Sequence, residues 1–193
     1  MKKNLIAAAL FCAVFIGLVW FSMYKYPARL NDVEVSSPSQ SPTITAAVRM
    51  ASSRTPPSGF KEYHQVTYHF SLFYPQELSV KEYKEPGTAM TMTFYDAENE
   101  KGFQIFIVPY GEKQIAEQRF KLDIPSGVMH EPIEVTIDGV RAVAFFSTDA
   151  ILGDTREVWF INHGFLFEVT TYKELDEWLA HLMTTWKFIE EIY

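Results

Sequence analysis

The chain has 193 residues, 48% apolar and 16% aromatic, which leaves room for one ordinary domain with extensions and enough apolar mass for a packed core. Its charge is divided unevenly: residues 1–59 hold six Lys/Arg and two Asp/Glu, whereas residues 60–193 hold eleven and twenty-two. The acidic part repels nucleic-acid phosphates and anionic lipid, excluding both as partners of the domain itself, and a single cysteine, Cys12, excludes an intramolecular disulfide.

Leu5 to Tyr24 is an uncharged apolar run, preceded by Lys2 and Lys3 and followed by Lys25 and Arg29. At about 1.5 Å per helical residue it reaches roughly 30 Å, the hydrocarbon thickness of a bilayer. A cleaved signal peptide has a shorter apolar region ending in small residues. This run instead ends in Trp20-Phe21-Ser22-Met23-Tyr24, with the aromatic belt of a membrane–water interface. The expectation is an uncleaved single-pass anchor over residues 1–26, with Cys12 an ordinary residue of the membrane helix. Flanking charge places the short N-terminus in the cytoplasm and the rest outside the cell membrane. Residues 27–59, with SSPSQSP and SSRTPPSG, read as a flexible Ser/Pro-rich tether, because repeated proline and few aromatics cannot build a core.

The domain is expected over residues 60–193. Val66, Tyr68, Phe70, Leu72 and Tyr74 alternate with polar residues, predicting one half-buried strand stopped by Pro75. Leu78–Tyr83 is a shorter strand, Glu85-Pro86-Gly87 a turn, and Met90–Tyr95 and Phe103–Val108 two further strands. Glu112–Leu122 reads as a short helix closed by Pro125-Ser126-Gly127. Asp138-Gly139 between the alternating runs 133–137 and 140–146 is a hairpin signal, since both turn positions need positive φ. A second pair, 157–161 and 165–171, turns at Asn162-His163-Gly164. Leu175, Trp178, Leu179, Leu182 and Met183 form one stripe of a helix over 173–184, and Trp186-Lys187-Phe188 a closing strand. Strands apolar on both sides imply a sheet covered on both faces. The fold class is α+β: a twisted, mostly antiparallel sheet with helices on both faces. Most of the late aromatics, Trp159, Trp178 and Trp186 among them, belong to that core.

Three motifs carry a family resemblance: Tyr-x-Phe-x-Leu-x-Tyr-Pro over 68–75, Asp-Gly-Val-Arg-Ala over 138–142, and Gly-Phe-Leu-Phe-Glu-Val-Thr over 164–170. A last helix then runs into Thr185-Trp186-Lys187-Phe188. Over roughly residues 62–190 the order resembles the PsbP-like family, named for an extrinsic subunit of the oxygen-evolving photosystem. The resemblance implies the fold and a habit of protein binding. It implies no photosystem role, since anchor and tether depart from that subunit, and no functional residue transfers to this chain.

No chemical motif assembles from spacing alone. His64 and His69 are five apart, so on one strand they face opposite sides and share no metal; His130, His163 and His181 read as structural or solvent-exposed. Asp149, Asp154 and Glu157 could line a Ca²⁺ loop through oxygen ligands, but the EF-hand spacing is absent and a solvated turn at Gly153-Asp154 is the plainer reading. Phosphate loops and nucleophile elbows are missing. The expectation is therefore no catalytic, cofactor-binding or metal residue and no cofactor. Two functions remain open: a membrane-tethered, non-enzymatic binding or assembly module with a protein partner, or an envelope hydrolase whose site is built from scattered residues such as His69, Glu168 and Asp154.

Overall fold

The apolar alternation from Val66 to Tyr74 is not one strand: its first residues are a turn between two strands. In the computed structural model, which describes residues 54–85, 87–124, 126–149 and 153–189, β1 (Phe60–Gln65) and β2 (Phe70–Pro75) are antiparallel partners. Between them Val66-Thr67-Tyr68-His69 turns back, with His69 at φ 56° and its N–H donating to the Val66 carbonyl. A period of two does not reveal this reversal, because Tyr68 and Phe70 are buried on either side of it. The expected single strand over 66–74 is thus corrected to a hairpin.

The chain continues through β3 (Ser79–Lys84), β4 (Met90–Asp96), β5 (Lys101–Pro109), α1 (Glu117–Asp123), β6 (His130–Ile137), β7 (Val140–Asp149), β8 (Gly153–Asn162) and β9 (Phe165–Tyr172). A single 3-10 turn (Lys173–Leu175) then leads into α2 (Asp176–Met183) and β10 (Lys187–Phe188). Asp138 and Gly139 both have positive φ, as the hairpin signal requires, and His163 and Gly164 repeat that geometry between β8 and β9. Both helices are shorter than their sequence patterns.

The strands form two sheets: a seven-stranded one ordered β3-β4-β5-β9-β8-β7-β6 and a three-stranded one ordered β1-β2-β10. All their pairings are antiparallel. The inner face of the large sheet presents Met92, Phe94, Phe103, Ile105, Ile107, Phe160, Phe167 and Val169 to Phe70 and Leu72 of β2, to Trp186, and to Leu179, Leu182 and Met183 of α2. Phe70 stacks on Trp186 at 4.3 Å and Phe94 on Phe103 at 4.4 Å. On the outer face α1 lays Phe120 over Trp159 and Phe145. Helices do lie on both faces, but the inner face is covered chiefly by the second sheet, which the sequence reading lacked.

Trp178 corrects another expectation. It is half-buried at the rim, 6.0 Å from the Phe103 ring and capped by Lys101 Nζ at 4.5 Å; among the described residues the fully buried tryptophans are Trp159 and Trp186. Contacts also reach back to Arg54, inside the stretch read as tether. Its guanidinium bonds Glu62, Ser71 and the Thr185 carbonyl and sits over the Phe73 ring. Among the described residues no helix is long and apolar enough to cross a membrane; the run 5–24 lies outside them, as does the turn residue Pro86.

Candidate functional site

Side chains alternate along a strand, so the outer face of the large sheet takes Glu157 and Trp159 from β8, Glu168 and Thr170 from β9 and Ser147 from β7. Register sets Glu157 opposite Thr170 and Trp159 opposite Glu168, leaving the two glutamates diagonal neighbours on adjacent strands. Both are buried, each 7% exposed. This is the densest polar cluster among the described residues of the outer face.

Glu157 is held as an acceptor. Thr155 Oγ1 at 2.9 Å, Thr170 Oγ1 at 2.6 Å and Trp159 Nε1 at 3.2 Å donate to its two oxygens, and Ser147 Oγ, 3.4 Å from Glu157, lies 2.7 Å from Thr155 Oγ1. Indole N–H can only donate, so the pocket is built for a carboxylate. Burial pushes the Glu157 pKa up and its hydrogen bonds oppose it, that of Thr170 foremost.

Glu168 sits beneath α1. Arg119 Nη2 lies 3.1 Å from Glu168 Oε1 and the same guanidinium pairs with Asp123 one turn along the helix. One cation thus faces two carboxyls in a site where all three side chains are at most 13% exposed. Burial and the neighbouring Asp123 charge raise the Glu168 pKa well above the ordinary carboxylate value, with Arg119 opposing. Burial raises Asp123 as well, opposed by Arg119 and by a hydrogen bond from Glu168. The consistent state places a proton on Glu168, which donates it to Asp123. Arg119 faces Asp123 as an ion pair, and the proton adds a hydrogen bond between the two carboxyls. The triad is then neutral overall, which is how an ionic group survives burial. Chemically it clamps α1 to the sheet and can exchange one proton.

The residues singled out from sequence are scattered. Asp154 opens β8 and His163 follows its end, about 30 Å away at roughly 3.3 Å per residue. His69 lies against His163, their ring centroids 5.3 Å apart. Asp154 is bonded to Thr148 Oγ1 and Lys173 Nζ. The structure therefore does not bring His69, Asp154 and Glu168 together as a catalytic set. Nor does it assemble the loop of Asp149, Asp154 and Glu157 into a Ca²⁺ site: Asp154 and Glu157, three apart on β8, leave from opposite faces, and the Asp149 side chain lies outside the described residues. His64 pairs with Glu62 at 3.0 Å, while His130 and His181 are exposed. Among the described residues no group of three His, Cys, Asp or Glu is placed to hold a metal ion.

Arg119 and Asp123 went unnoticed in the sequence. Their i, i+4 spacing was visible, but nothing local announced Glu168 as the third member. The His69–His163 contact was equally hidden, because it joins two turns 94 residues apart.

No family profile and no curated protein matches the chain. Among solved structures it is similar to cyanobacterial PsbP (CyanoP) from Synechocystis sp. PCC 6803, in solution, with a TM-score of 0.51 and 11% sequence identity. The match covers 72% of this chain and 97% of that one, so it spans nearly the whole of the other protein. At that identity the likeness speaks of architecture alone: the chain has the PsbP-like fold.

Proposed function

We propose that the protein is a membrane-tethered, extracytoplasmic binding or assembly module acting without catalysis. The observation that carries this reading is the internal use of its buried carboxyls. Glu157 is held by Thr155, Thr170 and Trp159 of its own sheet and Glu168 is tied to Arg119 and Asp123 beneath α1, so these groups hold the scaffold and do not face a substrate. The acidic, PsbP-like domain is consistent with a soluble head, and the run Leu5–Tyr24 with its anchor.

The test is membrane fractionation followed by crosslinking in the native membrane. The chain should stay with the membrane through a high-salt and an alkaline wash, and crosslinking should trap a defined protein partner on residues 54–189. Release by salt, or a mature N-terminus after Tyr24, would overturn the tether. Turnover of a hydrolytic substrate that is lost in Glu168→Gln while the melting temperature holds would overturn the non-catalytic reading.

A further inference from the structure

We propose that residues 43–50, which precede the described domain, lie as an added strand along the free edge of β6, parallel to it and within the same chain. β6 ends the seven-stranded sheet with β7 as its one partner among the described strands, so its other side presents a row of backbone N–H and C=O groups. Pro132 and the irregularity between His130 and Ile133 blunt only its first residues. From 133 to 137 it is regular and rich in β-branched residues. Ile133 stays 50% exposed there, although Val135 and Ile137 on the same face join the inner core. The opposite edge, β3, carries Lys81, Glu82 and Lys84, charges of the kind that guard an edge.

The occupant is written in the sequence. Ile44, Ala46, Val48 and Met50 alternate with Thr43, Thr45, Ala47 and Arg49, the period of a half-buried strand. Laid beside β6, the first set extends the inner row of Ile133, Val135 and Ile137 and covers Ile133, while the second shares the outer face with Glu134 and Thr136. Pro42 stops the run on one side, and Ala51-Ser52-Ser53 leads to Arg54 on the other. Charge agrees. Arg49 comes to the face of Glu134, whose side chain is 69% exposed, and six Lys/Arg to two Asp/Glu in residues 1–59 meet eleven to twenty-two in residues 60–193.

The chain also enters the domain beside this edge. Arg54 Nη1 donates to the Thr185 carbonyl at 2.7 Å and Nη2 to Ser71 Oγ at 3.3 Å. Ser71 pairs with Lys187, and Lys187 Nζ and Phe188 N–H both bond Asp138, the residue directly after β6. Arg54 is thus held on the side of the small sheet that meets the β6–β7 turn. Four residue steps, up to about 13 Å, separate Met50 from Arg54, so a segment leading into Arg54 meets β6 at its Ile137 end and runs with it. The added strand seals the open edge of the sheet and leaves residues 27–42 as the free tether, with an r.m.s. span of about 20–24 Å.

The test is amide hydrogen exchange, read by mass spectrometry, on the purified full-length chain in detergent at a low and a high protein concentration. Amides of 43–50 should exchange about a hundred-fold more slowly than those of 32–41. Ala46→Pro removes a ladder donor from the added strand and should speed exchange in both 43–50 and 133–137 by about ten-fold, while β8 and β9 keep their protection. Val35→Pro should change neither segment. Exchange of 43–50 at coil rates overturns the proposal, as does an Ala46→Pro effect that spares 133–137. Protection that disappears on dilution together with a crosslinked dimer overturns it as well, since the strand on β6 then comes from a second copy. The exchange pattern does not depend on whether Leu5–Tyr24 holds the chain in a membrane, so this inference and the tether fail separately.

Discussion

Replacing Arg119 by Met keeps the bulk of the side chain and removes the only cation of the buried triad. Asp123 and Glu168 then share a site with nothing but a proton between them. Breaking a buried ion pair from one side costs about 3–5 kcal/mol, because the remaining charge is stranded, against roughly 5–15 kcal/mol for a whole domain. Arg119 is 13% exposed and its carboxyl partners less, so little screening by water is available. At about 3–5 °C per kcal/mol for a domain of this size, the melting temperature should fall by ~10–20 °C. The loss should also depend on pH. A second proton can neutralise Asp123, so the variant should be least impaired near pH 5 and worsen as pH rises, by up to ~1.4 kcal/mol per unit. Urea midpoints at pH 5, 7 and 8.5 measure both effects. Arg119→Met with Asp123→Leu, which leaves a protonated Glu168 alone, should recover most of the loss. A single variant as mild as a surface change, or a double variant no better than the single, would refute the coupled triad.

Gly102→Ala should destabilise by about 1–3 kcal/mol in thermal melts: a Cβ there meets the Phe94 carbonyl and lies 2.8 Å from Tyr95 Cδ2, because Tyr95 lies across its glycine partner in β5. Trp186→Ala should cost about 3–5 kcal/mol in chemical denaturation, whereas half-buried Trp178→Ala should cost clearly less; equal losses would contradict the rim position of Trp178. Glu157→Gln should cost about 1–3 kcal/mol near neutral pH, since an amide NH₂ cannot accept from Thr170 or Trp159. The folded-state pKa of Glu157 and Glu168 is raised. The parent should therefore lose stability from these groups as pH climbs above about 4.5, the unfolded value, through the folded values, which urea midpoints across pH 4–9 would reveal.

Local chemistry made some elements readable in advance. The Asp138-Gly139 hairpin followed from the need for positive φ, the Met90–Tyr95 strand from its alternation, and the Phe103–Val108 strand from apolar density. The β1–β2 reversal did not, because His69 takes left-handed backbone without the glycine that usually marks it. The second sheet was hidden for a related reason. β10 is a two-residue strand whose partner, β2, lies more than a hundred residues upstream, and no window of sequence contains both. Trp178 shared its stripe with Leu179 and Leu182, yet helical periodicity cannot tell the centre of an interface from its edge. For the polar cluster, single residues such as Glu168 could be named, but their partners are fixed by strand register. The contact of His69 with His163 depends on two turns converging from different sheets.

The small sheet is built from the two ends of the domain: β1 and β2 are made first, and β10, with Trp186 stacked on Phe70, arrives last. During synthesis the inner core therefore stays open until about residue 188 has emerged. Every earlier nascent length carries Phe70 and Leu72 on a hairpin without its third strand. Non-local closure of this kind slows folding and lengthens the exposure of apolar surface to proteases and to aggregation. A chain cut even a few residues before Lys187 forfeits the Phe188 N–H bond to Asp138 and the pairing to β2 together.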